Sequence, residues 1–191
     1  MSPRQFWDRG RDLASGGSTR RQDKSLREEQ VMRSRIGIGF DAHAFTEGRP
    51  LVLGGVTIEH PLGLAGHSDA DVLSHAVADS LLGAAGLEDI GHYFPDTDPA
   101  YRDISSLRIL ERVRELITAA GCRIGNVDAV LVLEAPRIAP HRHRMRAAVA
   151  AALAMPEADV SLRATTTEMM GFAGRGEGIA AMAVSLLESD S

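Results

Sequence analysis

Apolar residues recur at every second position in the segment that starts at Arg35, with Ile36, Ile38 and Phe40 in phase. That is the period of a β-strand. The same alternation continues into Asp41-Ala42-His43, so the carboxylate and the imidazole share one face of the strand end. From Val72 the period changes: Val72, Leu73, Ala76, Val77 and Leu81 repeat as on a helix, with Ser68 and Asp69 as candidate N-caps and Gly83 or Gly86 as the stop. Between these elements, LVLGGVTI reads as hairpin strands broken at Gly54-Gly55, followed by a loop from His60 to Gly66. Leu107, Leu110, Val113 and Ile117 form one stripe of an amphipathic helix that Gly121 ends. GNVDAVLVLEAP is a strand whose dense Val/Leu run predicts burial on both faces and which Pro136 terminates. A helix follows from His141 through an alanine run to Ala154, then the last core strand, VSLRATTTE. A glycine-rich loop and a small-residue segment, IAAMAVSLL, close the chain as helix or strand. The order, about βαβαβ with an extra hairpin strand, predicts a single α+β domain with a mixed β-sheet covered by helices on one face.

Residues 1–33 lack this periodicity. They are polar and arginine-rich, and are expected to be a disordered extension, with the folded domain spanning 34–191. Asp8, Asp12, Asp23, Glu28 and Glu29 argue against a transit peptide, and no apolar core of a secretion signal is present. A start codon placed too early, with Met32 as the true start, or the remnant of a linker to another enzyme would account for the segment equally well.

The 191 residues are 44% hydrophobic and 25% charged, enough for one compact core. A net charge of −5 and an aromatic content of 4% exclude a global basic field or stacking platforms for nucleic acid. The one dense basic run, His141 to Arg146, is short and lacks interleaved aromatics, so it reads as a solvated helix face. The single cysteine, Cys122, rules out an intrachain disulfide framework and suits a reducing compartment, and a cytoplasmic protein is expected. No apolar run is long enough to span a bilayer.

Candidate chemistry lies first in Asp41, His43 and His75. Two ligands from one strand end and a third from the first turn of a helix suit a divalent ion with an open position, Zn²⁺ or Fe²⁺. Spacing alone fits equally a chance Asp-x-His beside a hydrogen-bonded helix histidine. Asp71 and Asp79 lie four residues to either side of His75, and either one would be placed to accept its second N–H, or both belong to a solvated stripe. The start of this helix offers free amides and positive potential for a phosphate. A second concentration of polar groups, Thr165, Thr166, Thr167 and Glu168, leads into glycines at 171, 174, 176 and 178. Hydroxyls with a carboxylate suit phosphate and a hard cation.

Five motifs in fixed order, IGFDAH, LAGHSDADVLSHAVADSLLGAAGLEDIG, HYFPDTDP, GNVDAVLVLEAP and ATTTEMMGFAGRGEG, resemble the 2-C-methyl-D-erythritol 2,4-cyclodiphosphate synthase family over about residues 35–188. Ile38 stands where some members have histidine, with no expected effect on the ligands. The resemblance implies a homotrimer with active sites between subunits, acting on a small molecule. It implies zinc on Asp41, His43 and His75, and Mg²⁺ or Mn²⁺ on Glu168. It implies substrate contacts from Asp41, His43, His67 and Ser68, with His67 and Thr166 stabilising the transition state. Asp89, Ile90 and Gly91, with Asp89 on the erythritol hydroxyls, and Phe94, Pro95, Asp96, Thr97 and Asp98 would line the substrate pocket. Leu133, Glu134, Ala135, Pro136, Arg137, Ile138 and Ala139 would hold cytosine, largely through backbone groups. Thr165, Thr167, Phe172 and Arg175 match further pocket positions.

The implied reaction is cyclisation of 4-diphosphocytidyl-2-C-methyl-D-erythritol 2-phosphate with release of CMP. Two other readings use the same residues. A zinc-dependent phosphate-ester hydrolase would incorporate ¹⁸O from solvent water, and a non-catalytic nucleotide-binding module would bind CMP without turnover.

Overall fold

A computed structural model describes residues 32–190. The expectation of a disordered extension over residues 1–31 falls outside the described residues, whereas Met32 and Arg33 already belong to the first strand, paired with Asp190 and Ser189. The chain forms one mixed sheet, in the order β4-β1-β7-β5-β6, and a separate two-stranded hairpin. The long strands are β1 (Met32–Thr46), β5 (Cys122–Val132) and β7 (Gly178–Asp190), with β6 (Val160–Thr165) at one edge and the two-residue β4 (Gly63–Leu64) at the other. Only β5 and β6 run parallel; the remaining pairs in the sheet are antiparallel. The hairpin pairs β2 (Leu51–Leu53) with β3 (Val56–Ile58) across Gly54 and Gly55, both at positive φ. The predicted α+β class therefore holds. The closing segment is strand β7, and part of the loop at 60–66 pairs as β4.

Helix α1 (Val72–Ala85) lies on β1 and β7, flanked on its outer side by α3 (Ser106–Ala119). Its start is fixed by Asp71, not by Ser68 or Asp69 as the sequence suggests: the Asp71 carboxylate accepts from the amides of Leu73 and Ser74. The same carboxylate accepts from the Ser74 hydroxyl and from the amides of Gly54 and Gly55, tying the hairpin turn to the helix start. Gly86, at φ 73°, ends the helix in the left-handed conformation that glycine adopts without steric cost. Short α2 (Ile90–Tyr93) follows, and α4 (Arg142–Ala152) packs on α3 and β6. Short α5 (Gly171–Gly174) precedes β7. In α4 Arg142, His143 and Arg144 are exposed, and His143 and the partly buried Arg146 pair with Glu157.

The contact of α1 with β1 inverts the ordinary use of an alternating strand. Gly37 and Gly39 face the helix, and a Cβ on either would stand 2.0 Å from the backbone oxygen of Ser80 or Ala76. Small residues at four-residue intervals along α1, namely Ala76, Ser80 and Ala84, complete this contact. Ile36, Ile38 and Phe40 consequently point to the other face, where they are 73%, 66% and 57% exposed. Cross-strand pairing sets Ile38 beside Val184 and Phe40 beside Met182, so this face of the sheet is an open apolar patch. Burial of β5 likewise alternates: Val127, Ala129 and Leu131 are buried towards the helices, while Asp128, Val130 and Val132 on the open face are partly exposed. The predicted two-sided burial of β5 is not met within one chain.

Candidate functional site

Asp41 and His43 lie on the helix side of β1, opposite the buried Ala181 and Ile179 of β7. The first turn of α1 brings His75 over them. His43 Nε2 is 2.9 Å from Asp41 Oδ2, His75 Nδ1 is 3.1 Å from the same oxygen, and the two nitrogens are 3.2 Å apart. Donor atoms held tetrahedrally at about 2.0–2.1 Å from a zinc ion stand about 3.3–3.4 Å apart, close to this triangle.

The hydrogen bonds behind the two rings fix which nitrogens face one another. His43 Nδ1 is 2.6 Å from the carbonyl of Ala65, which only accepts, so Nδ1 carries the proton and Nε2 turns a lone pair inward. Ser106 Oγ donates to Asp69 Oδ1 and so accepts from His75 Nε2 at 3.0 Å, with Ser68 Oγ at 3.1 Å from the same nitrogen. That leaves His75 Nδ1 with its lone pair inward as well. Two lone pairs and a carboxylate oxygen converge on one point, an arrangement that favours a cation. In the absence of metal a proton partly meets this need. Burial pushes His43 down, but the hydrogen bond and charge of Asp41 outweigh it and raise its pKa above the usual 6.5. Burial likewise pushes Asp41 up, but its bonds to His43 and His75 hold it well below the usual carboxylate range. Asp41, His43 and His75 thus form a group able to hold a metal ion, and loading it releases protons.

Neither Asp71 nor Asp79 holds His75. Asp71 is spent on its own cap and on the hairpin, and Asp79 Oδ1 accepts from the Ile90 amide, anchoring the start of α2. His75 is oriented instead by Ser68 and, from the start of α3, by Ser106. Ser106 is fully buried, and its amide and hydroxyl both bond to Asp69. Ser106→Ala is expected to weaken metal binding about tenfold or more, since outer partners of metal-bound histidines contribute on that scale. Competition with a chromophoric chelator measures it; unchanged affinity would show that Ser106 only fills space.

A pocket of about 310 Å³ opens beside this group, lined by His43, His75, His67 and Ser68 and, across it, Ile90, Gly91, Phe94 and Asp96. Arg49, which the sequence does not single out, donates to the carbonyls of Gly66 and Ser68 and holds the loop that carries His67. Of the amides at the helix start, expected to be free for phosphate, those of Leu73 and Ser74 are occupied by Asp71, and just before it that of Ala70 is occupied by Ser68 Oγ and that of Asp71 by Asp69. Other predicted pocket residues serve the loop itself. Asp89 caps α2 through the His92 amide, Asp98 caps the turn at Pro99–Tyr101, and Pro95 accepts from the Asp98 amide.

The remaining predicted residues gather elsewhere on the same rim of the sheet. The parallel ladder of β5 and β6 extends one step beyond the strands, the Leu133 amide bonding to Thr165, and brings the 133–139 segment against Thr165–Glu168. Thr166 Oγ1 donates to Glu168 Oε1 at 2.8 Å, and both side chains are exposed. Arg175 pairs with Glu177 at 2.7 Å, and Phe172 is exposed. Among the described residues, none of 133–139, 165–168, 172 or 175 lines the 310 Å³ pocket. With β7 between β1 and β5, strand spacing sets the two groups about 10–14 Å apart.

A model of the YgbB family matches residues 34–188. The 2-C-methyl-D-erythritol 2,4-cyclodiphosphate synthase of Syntrophobacter fumaroxidans is 58% identical over 156 residues, covering 82% of this chain and 98% of its own length. That of Rubrobacter xylanophilus is 59% identical over 157 residues, covering 81% and 94%. The structure is similar to the CDP complex of Plasmodium falciparum IspF, with a TM-score of 0.72 at 33% identity over 83% of this chain and 97% of that one. It is also similar to the bifunctional IspDF of Campylobacter jejuni, with a TM-score of 0.80 at 38% identity, over 83% of this chain but 43% of that longer protein.

Proposed function

The chain belongs to the YgbB family, that of the 2-C-methyl-D-erythritol 2,4-cyclodiphosphate synthases, and from that premise we propose how its two groups of side chains carry out the cyclisation. The enzyme converts 4-diphosphocytidyl-2-C-methyl-D-erythritol 2-phosphate to 2-C-methyl-D-erythritol 2,4-cyclodiphosphate and CMP in isoprenoid precursor synthesis. The 2-phosphate oxygen attacks the β-phosphorus, the bond from that phosphorus to the oxygen bridging to the α-phosphate breaks, and that oxygen leaves with CMP. No protein nucleophile is needed, because phosphoryl transfer is governed by position and charge.

The observation that carries this reading is the convergence of Asp41 Oδ2, His43 Nε2 and His75 Nδ1, all within 3.2 Å of one another, beside a pocket of about 310 Å³ that His43 and His75 line. Asp41, His43 and His75 would hold Zn²⁺, and Glu168 would hold Mg²⁺ or Mn²⁺; such ions would supply positive charge to offset the diphosphate oxygens. Around that charge the side chains have separate tasks. His67 and Ser68 stand at the pocket mouth, where His67 donates to the oxygens as charge grows on them. Ile90, Gly91, Phe94 and Asp96 enclose the erythritol portion, with Asp89 at its hydroxyls. Thr166 donates from the opposite group, and the backbone of the 133–139 segment receives cytosine.

The two groups belong to one active site when neighbouring subunits of a homotrimer meet. The open apolar patch of Ile36, Ile38, Phe40, Met182 and Val184 supports such an assembly, since a face of this kind is covered in a stable soluble protein. With a single cysteine and no helix long and apolar enough to cross a membrane among the described residues, a cytoplasmic setting suits the chain.

³¹P NMR of the purified protein with the cytidine diphosphate substrate tests the reaction. Cyclodiphosphate and CMP signals are expected with metal present and lost with a chelator. An acyclic phosphorylated product bearing ¹⁸O from solvent would replace cyclisation by hydrolysis.

A further inference from the structure

We propose that the Glu134 side chain is a positioning residue: it sets the Thr166–Glu168 turn, linking the segment that receives the base to the group that meets the phosphates and the second cation. This rests on the assignment of those two segments given above, in which Glu134 itself contributes only backbone.

Two amides from the neighbouring loop converge on one oxygen. Glu134 Oε1 accepts from the amide of Thr167 at 3.1 Å and from the amide of Met169 at 3.2 Å. The two amides flank Glu168. Between and beside them the backbone is unusual, for Glu168 and Met169 are successive non-glycine residues at φ 53° and 65°. L-residues enter that region against the contact of Cβ with their own backbone, and persist there only where surrounding bonds determine it. Those bonds are identifiable. Thr167 Oγ1 donates to the Met170 carbonyl at 2.6 Å, the Met170 amide returns to the Thr167 carbonyl, and Gly174 packs on the Met169 backbone so closely that a Cβ would stand 2.2 Å from it. All but the Glu134 contacts lie within residues 167–174. Glu134 alone, among the hydrogen-bonded side chains of this turn, comes from the other segment.

The consequence concerns where Glu168 points. Its carboxylate accepts from Thr166 Oγ1 at 2.8 Å, and this geometry depends on the left-handed backbone at 168 and 169. Without the Glu134 acceptor, two amides lose their partner and the turn is free to relax toward ordinary φ. Thr166 and Glu168 would then move together relative to the segment holding the base.

Amide exchange measured by NMR on the full-length protein separates this role from general packing. In Glu134→Ala the amides of Thr167 and Met169 are expected to exchange about tenfold faster or more, while that of Leu133, bonded to the Thr165 carbonyl, stays protected. Glu134→Gln keeps the acceptor oxygen and is expected to keep the protection. In turnover, Glu134→Ala lowers kcat by about 10- to 100-fold, the scale of a small misplacement of reacting groups, with KM for the nucleotide substrate little changed. Equal exchange at Thr167 and Met169 in wild type and Glu134→Ala overturns the proposal, as does lost protection with full turnover. If Leu133 also loses protection in the alanine variant, Glu134→Gln decides: fast exchange at Thr167 and Met169 there overturns it. Were the wild type to make no cyclodiphosphate, the reading of the reaction would fail, and the exchange rates would still decide whether Glu134 sets the turn.

Discussion

Replacing His75 by alanine is expected to leave a folded protein that holds no stoichiometric zinc and has lost cyclisation by about a thousandfold or more. Asp41 Oδ2 and His43 Nε2 remain 2.9 Å apart in that variant, but two ligands on one strand do not hold an ion against solvent as three do. The fold should tolerate the change. His75 is only partly buried, and its hydrogen bonds to Ser68 and Ser106 contribute about 1 kcal/mol each. Elemental analysis of the dialysed protein and a thermal melt measure both parts. Wild-type zinc content or wild-type turnover would remove Asp41, His43 and His75 from the mechanism.

Ile38→Glu is expected to have a comparable effect on activity by a different route. Ile38 is on the face of β1 opposite the metal group, is 66% exposed in the single chain and lies beside Val184 and between Ile36 and Phe40. A glutamate there costs the isolated chain little. In an assembly it places an unpaired charge in a dry contact, at about 3–5 kcal/mol for each uncompensated copy, and a symmetric trimer incurs that cost at every subunit. The trimer should fall apart into monomers that still bind zinc, and turnover should drop at least about 100-fold as the Thr166–Glu168 group parts from the pocket. Sedimentation and zinc content together decide the matter. A variant trimer of normal mass, or a fully active wild-type monomer, would refute subunit sharing.

Much of this was legible in the chain, for physical reasons that differ between elements. The period of two placed β1, and with it Asp41 and His43 on one face. It did not say which face is inner, because a strand normally turns its aliphatic side to the core; here glycine is the only residue that fits between strand and helix, so Ile36, Ile38 and Phe40 are left outward. The same holds for β5, whose Val/Leu run looks two-sided in the sequence while Val130 and Val132 stay partly exposed on the open face. The orientation of His75 was misread because spacing by four is a rule about helix surfaces. Asp71 sits at the cap, where its carboxylate turns back on its own amides, and Asp79 faces α2. Ser106 lies 31 residues downstream of His75, and a serine at a helix start carries no mark of the distant ring it will support. Glu134 was visible as part of a motif but not as a side chain with a task, since a contact between the ends of two parallel strands has no sequence period.

The glycine contact between β1 and α1 also bears on the metal group. A joint in which peptide groups touch peptide groups has no rotamers to rearrange, so the distance from strand to helix has little room to vary. The strand brings two ligands and the helix the third. The backbone spacing of the three ligands is therefore set by glycine packed on a helix, and only their side-chain rotamers are left to adjust to an ion.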